Sequence, residues 1–193
     1  MIFAPAGFPA GVHLPNWTNI VTIPVILDTE LGSFTIAVDE QSAPITAANF
    51  LAYVDGGYLD NATAYRIVTM ANQPVDKPIK IEVVQWGYRA SEEKPAPFPP
   101  IKHETTEMTG LRHKNMTVSM ARFAVGSAAS EFFICIGDQP ELDFGGMRNP
   151  DGQGFAAFGT VTVGEDTVRA IFARAEAEET VKTPVAFTKV RRA

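Results

Sequence analysis

Cysteine is almost missing from this chain. Cys135 stands alone among 193 residues, so no internal disulfide forms and the fold rests on packing. No apolar run reaches the roughly 18 residues that span a bilayer, and no membrane partner is expected. Cations are fewer than anions, 16 Lys and Arg against 22 Asp and Glu, and a net charge of -6 excludes broad binding to a phosphate backbone, which needs clustered cations to displace counterions. No nucleic-acid partner is expected either. Histidines number three, and the spacing of His103, Glu104 and His113 matches no metal-ligand pattern, so no metal is expected. No glycine-rich phosphate loop follows a strand and opens a helix, and no cofactor is implied. Residues 1–15, MIFAPAGFPAGVHLP, lack a basic stretch before an apolar core and do not read as a secretory signal. The chain as given reads as cytoplasmic, or as periplasmic or secreted if a signal has been removed.

What is present is an ordinary globular balance, 46% hydrophobic and 20% charged, enough for one domain over 21–193 with a large core. An irregular arm rich in Pro and Gly precedes it over 1–20. Two β-rich runs within 21–39, divided by Leu31 and Gly32, predict a hairpin. Pro24 cannot donate to a ladder and belongs at an edge or a strand start. Ser42 reads as an N-cap before Pro44, and Ala47, Phe50, Leu51 and Val54 recur at helical spacing up to Gly56 and Gly57. Asn49 on that helix reads as a structural hydrogen-bonding residue. Strands are predicted over 64–68 and 79–88, separated by a polar loop, 69–78, and followed by a proline-rich rigid spacer, 91–100. Further strands are predicted over 117–121, 132–136, 155–163 and 184–190, with a turn-rich loop at 137–154. Val168, Ile171, Phe172 and Ala175 mark a second helix. Strands without regular βα alternation and two distant helices argue for a mostly β fold, an antiparallel closed sheet with helices at its ends.

The chemistry gathers at 117–136, TVSMARFAVGSAASEFFICI, where two β-rich runs flank a loop of small residues that lets another backbone lie close. Tyr65 and Arg66 lie upstream, Gln85 between, and Leu142 with Asp143 and Phe158 with Gly159 downstream. In this order they resemble the cyclophilin family of peptidyl-prolyl cis-trans isomerases over about residues 25–190. The resemblance implies a closed eight-stranded antiparallel barrel capped by two α-helices, with its active groove on the outer surface. It also implies a monomer that acts on Xaa-Pro bonds in proline-containing polypeptide substrates and needs no cofactor.

Turning an Xaa-Pro bond needs neither nucleophile nor metal, because the barrier of about 18–20 kcal/mol is lost amide resonance. As the amide twists, the prolyl nitrogen becomes pyramidal and basic, so a fixed cationic donor beside it favours the twisted state over either planar isomer. The planar, always-charged arginine fork suits that task. By resemblance Arg66 is the catalyst, Gln85 bonds the substrate backbone, and Phe133 and Leu142 form the floor and wall of a proline pocket that Ala121 also lines. The departures are specific. Glu82 and Val83 replace Phe and Met, Arg122 replaces Asn, Glu131 replaces Gln, and Phe155 stands where many members carry His. Glu141 occupies the position of the indole that contacts cyclosporin, which predicts weak binding of that drug. The 69–78 connection is longer than the family's by about ten residues and reads as a surface flap.

Either Glu82 or Glu131, if near Arg66, is expected to pair with it and either to weaken isomerase activity or to bias the groove toward basic flanking residues. Cys135 reads as a buried, inert thiol, and Ser127 and Ser130 have no histidine at a suggestive spacing. The alternative function is a proline-peptide binding module or chaperone with little turnover; a weaker one makes the arm and the 69–78 loop a protein-docking surface.

Overall fold

The computed structural model describes residues 21–193, so the irregular arm expected over 1–20 lies outside the described residues. The strands are β1 (Ile23–Thr29), β2 (Gly32–Val38), β3 (Ala62–Val68), β4 (Val83–Gly87), β5 (Thr117–Met120), β6 (Glu131–Cys135), β7 (Ala157–Val163) and β8 (Thr180–Arg192). They close into one barrel in the order β1-β2-β7-β5-β6-β4-β3-β8, and every pairing is antiparallel. The mostly β, closed eight-stranded barrel expected from the sequence is what forms.

Alternation explains the interior. Val25 and Leu27, Phe34 and Ile36, Val84 and Trp86, and Phe132 and Ile134 point inward from successive strands and are wholly or almost wholly buried. Helix α1 (Pro44–Asp55) closes one end by inserting Phe50 among Trp86, Phe132 and Phe158, with the Phe132 ring edge-on at 5.0 Å. Its predicted apolar face, Ala47, Phe50, Leu51 and Val54, is the face it buries. Asn49 donates to the Ala129 carbonyl at 2.7 Å and so ties the helix to the small-residue loop. Besides α1 and α3 (Glu165–Phe172), which buries Val168 and Ile171, the chain forms a one-turn helix, α2 (Thr106–Thr109), where two helices were expected.

Other boundaries also move. Residues 79–82 are not strand, and β4 starts at Val83. Strand β8 begins at Thr180 and carries Pro184 inside it, at the register shift where Ala64 faces Val185 but Arg66 faces Thr180. A bulge is where a residue without an N–H costs no ladder bond.

The start of α1 departs most from the reading. Ser42 is not the N-cap. Ala43 holds that position without a side-chain bond, and the free helix amides go instead to a residue far along the chain. The buried Glu104 carboxylate accepts from Ile45 N at 3.2 Å, Thr46 N at 2.7 Å and the Thr46 hydroxyl at 2.6 Å. Its charge also opposes the positive end of the helix dipole. Glu104→Ala should therefore strand these donors and cost about 2 kcal/mol, because buried unpaired donors lose their desolvation energy. A denaturant midpoint unchanged by the substitution would show that the cap carries no stability.

Candidate functional site

The site grows from the outer face of the same strands. Arg66 on β3 faces Gln85 on β4, Gln85 faces Phe133 on β6, and Phe133 faces Ser119 on β5. Their neighbours Ile67, Val84, Trp86, Phe132 and Ile134 point inward, so Arg66, Gln85 and Phe133 stand side by side outside the barrel. There Phe133 packs in a second, smaller apolar cluster with Val68, Ile81, Val83, Cys135 and Leu142, and Ala121 and Phe155 lie against it. The Phe155 ring meets Phe133 edge-on at 5.4 Å, and a short turn, Pro140–Leu142, delivers the other wall. Leu142 O accepts from Phe155 N at 2.9 Å, which brings the two walls together. Gly154 makes that approach possible: a Cβ there would lie 2.5 Å from the Asp143 carbonyl carbon, and its φ is +61°.

Behind the floor lies a buried relay. The His113 ring stacks on Phe133 at 6.0 Å, with Nδ1 2.8 Å from Asp143 Oδ1 and Nε2 2.9 Å from the Ser119 hydroxyl. A carboxylate only accepts, so Nδ1 carries a proton and donates to Asp143, while Nε2 bonds the Ser119 hydroxyl. Ser119 is fully buried, which makes this a brace for Phe133 and not a nucleophilic triad. Burial alone would raise the Asp143 carboxyl, but hydrogen bonds from the His113 ring and backbone outweigh it and hold the group below its ordinary value.

Arg66 is clamped. Its Nε and Nη2 donate to one oxygen of Glu179 at 2.9 and 2.5 Å, and Nη1 donates to Gln85 Oε1 at 2.7 Å. Gln85 Nε2 then donates to the Tyr65 hydroxyl and, at 3.1 Å, to Glu131, which also accepts from Tyr65 at 2.7 Å. Burial first, and the Glu131 charge second, push the Tyr65 hydroxyl well above its usual range, so it stays a donor. Neither Glu82 nor Glu131 pairs with Arg66, contrary to the sequence reading. Glu82 lies in the non-strand lead-in to β4, outside the groove, where Met70 N approaches it at 3.5 Å. Glu131 is spent on Tyr65 and Gln85.

These residues line a groove of about 720 Å³ that includes Arg66, Val83, Gln85, Ala121, Arg122, Glu131, Phe133, Leu142 and Phe155. Glu82 alone of the sequence candidates is absent from it. Arg122 lines it with a side chain already committed: Nε and Nη2 donate to Gly154 O at 2.8 and 2.6 Å, Asp151 accepts two further bonds, and the guanidinium covers the Phe155 ring at 5.2 Å. It holds a wall. Glu141 likewise turns into its own loop and accepts from Met147 N at 2.9 Å.

Tyr65, named with Arg66 in the sequence, lines the groove too, and so do residues not singled out there: Lys77, Ile81, Arg89, Arg148 and Asn149. The 69–78 segment lies at the surface, exposed over 74–78, and is pinned at its base. Buried Gln73 donates to Thr69 O and Ile81 O and accepts from Ile81 N, while Arg148 Nη1 reaches Gln73 Oε1 at 3.0 Å and Ile79 O at 2.6 Å. Cys135 is wholly buried and its thiol is pushed up by burial. His103 bonds Gln153 O, and the described residues contain no cluster of three potential metal ligands. No helix among them is long and apolar enough to cross a membrane.

The family described as cyclophilin type peptidyl-prolyl cis-trans isomerase/CLD matches residues 24–192. A peptidyl-prolyl cis-trans isomerase of Streptomyces antibioticus is 33% identical over 148 residues, covering 76% of this chain and 81% of that protein. Peptidyl-prolyl cis-trans isomerase A of Dickeya dadantii is 32% identical over 151 residues, 78% of this chain and 71% of its own length. Among solved structures, a cyclophilin type peptidyl-prolyl cis-trans isomerase of Cryptosporidium parvum superposes with a TM-score of 0.68 at 16% identity, covering 89% of this chain and 98% of that one. A second structure of it was determined in the presence of the dipeptide Ala-Pro.

The wall held by Arg122 has a pH signature. Hydrogen bonds from Arg122, then from the Gln153 backbone, lower the Asp151 carboxyl from 3.8 to about 2. A carboxyl lowered in the folded state adds stability above its unfolded value and loses it as pH falls through the folded one. Asp151→Asn should therefore be less stable than the parent at neutral pH, and the gap should close between about pH 4 and pH 2. A gap that stays constant across denaturant midpoints in that window would mean that the ion pair does not hold the loop.

Proposed function

The chain belongs to the cyclophilin-type peptidyl-prolyl cis-trans isomerase family, and from that premise we propose that it catalyses rotation about Xaa-Pro bonds in unfolded or flexible polypeptide segments, assisting their folding. The observation that carries the reading is a guanidinium, Arg66, fixed at three of its nitrogens beside an apolar slot floored by Phe133. A prolyl ring seats on Phe133 between Leu142 and Phe155, with Val83 and Ala121 completing the slot. Arg66 then faces the amide nitrogen. It gains interaction as that nitrogen loses conjugation and becomes basic, while neither planar isomer gains as much. Gln85 orients Arg66 through Oε1 and offers Nε2 to a substrate carbonyl in exchange for its bond to Glu131, and Glu131 is an acceptor for a peptide N–H.

Each tenfold in rate requires about 1.4 kcal/mol of preference for the twisted amide, within reach of one well-oriented cation in a partly dry groove. The substrates are proline-containing polypeptides, and the enzyme acts as a monomer without nucleic acid. A second reading, peptide binding with little turnover, draws on Glu179, whose carboxylate offsets part of the Arg66 charge.

Arg66→Ala should lower kcat/KM on a standard Xaa-Pro peptide by about a hundredfold, the usual loss on removing a donor that acts in the transition state. Binding of the same peptide should fall far less. Parent and variant turning over the peptide at equal, near-background rates while both bind it would replace the isomerase reading with the binding-module one. Cyclosporin should bind more weakly than nanomolar, since the Glu141 carboxylate, bonded to its own loop, offers no indole to pack against; calorimetric titration decides this.

A further inference from the structure

The groove is electrically uneven along its length. Strand β4 from Val83 to Gly87 spans about 13 Å at roughly 3.3 Å per residue, with Gln85 and its partners Arg66 and Phe133 at the midpoint. Toward Gly87, which faces Glu131, both signs of charge meet at Tyr65: Glu131 is held by Tyr65 and Gln85, and Arg89 stacks on the Tyr65 ring at 4.4 Å. At the midpoint Arg66 has Glu179, and on the wall Arg122 has Asp151. Toward Val83 and Ile81 the groove is lined by Lys77 and Arg148, and among the described residues neither makes an ion pair.

Arg148 is built in rather than draped over the surface. Its Nη1 bonds two neutral acceptors, Gln73 Oε1 and Ile79 O, which fixes the plane of the fork, and its other two nitrogens have no hydrogen-bond partner among the described residues. Burial, and then the positive charge of Arg66, lower its affinity for its own proton, while Glu179 partly restores it. A half-buried cation beside a second cation, with two donors unused, is relieved by an anion. The loop that supplies Lys77 and Gln73 is the connection whose length the resemblance sets apart, which gives that length a use at the groove.

We propose that Arg148 and Lys77 form an anion-binding subsite at the Ile81 end of the groove, which gives the enzyme a preference for prolyl peptides with an anionic side chain, carboxylate or phosphate, about two residues from the proline. This rests on the isomerase reading for the position of the proline, and it reverses the preference for basic flanking residues expected from the sequence.

The test uses one Xaa-Pro peptide with Gln, Glu, Lys or phosphoserine placed two residues before or two residues after the proline. Each is assayed with the parent chain and with Lys77→Gln, Arg148→Gln and Arg148→Lys. At one of the two positions the Glu or phosphoserine peptide should exceed the Gln peptide in kcat/KM by about tenfold at low salt, as a charge-assisted hydrogen bond in a partly dry site provides. The advantage should shrink in high salt, fall toward one in both Gln variants, and survive in part in Arg148→Lys. A larger gain for phosphoserine than for Glu identifies phosphate as the preferred anion.

The Lys77 side chain is exposed and bonds nothing among the described residues, so its variant remains informative if Arg148→Gln, which also anchors the loop, unfolds. Rates on Glu, Gln and Lys peptides within twofold of one another, or an advantage untouched by Lys77→Gln and Arg148→Gln, would overturn the subsite. The Gln peptide reports separately on isomerisation. If it is not turned over at all, that reading fails, and the ratio of binding constants for the same peptides still decides whether the anion subsite exists.

Discussion

Phe132 and Phe133 are neighbours in one strand and belong to two different cores. Phe132 is packed among Phe50, Tyr53, Trp86 and Phe158 inside the barrel, while Phe133 faces out and meets Val83, Leu142, Phe155 and the ring of His113. On most half-buried antiparallel sheets the second of two such residues would be polar. Here the pleat makes the barrel wall apolar on both sides at one place, and that constraint creates the slot. The floor cannot sink, because the wall beneath it is filled by close-packed rings. Nor can it slide, because the His113, Asp143 and Ser119 bonds fix what it stacks on.

The same register delivers the charge. Arg66, Gln85 and Phe133 lie on three adjacent strands at one level, so the spacing between guanidinium and ring follows from the roughly 4.8 Å between strands and not from any loop. Glu179 then sets the orientation. It takes two of the donors of Arg66 and fixes the plane of the fork, which in the proposed reaction would lower the reorganisation needed at a twisting amide, and it offsets part of the Arg66 charge. With both side chains partly exposed, this pair is worth more as a positioning device than as a source of stability.

How much of this was legible in the sequence follows the range of the interactions. The strands, the α1 face and the order of Arg66, Gln85, Phe133 and Leu142 are local patterns or short motifs, and they were read. Glu104, Glu179 and Arg148 were not, because each acts on a group 58 to 113 residues away and nothing near it in sequence marks the partnership. The misplacement of Glu82 has a different origin. Glu82 was set in the groove by matching it, with Val83, to the family's Phe and Met, but Ile81 and Val83 line the groove and Glu82 between them does not. Ser42 failed as a cap for a similar reason: a cap read from sequence assumes a neighbour, and the helix amides found a carboxylate from another loop.

The two loops that wall the groove are held by the same chemistry. Arg122 clamps Gly154 O, and Arg148 clamps Ile79 O. A guanidinium bonded to a backbone carbonyl fixes a chain that forms no regular ladder, and it satisfies an acceptor that would otherwise be buried unpaired. The side effect is electrostatic. Every loop pinned this way adds a positive charge to the groove, and only the loop that also brings a carboxylate, Asp151 for Arg122, cancels it. That is how a chain with a net charge of -6 keeps a groove rich in arginine: Glu131, Glu179 and Asp151 answer part of that charge, and Arg148 stays where irregular backbone has to be held. The proposed substrate preference is then a by-product of how the walls are built, since the anchor that was not neutralised is the one left to attract an anion.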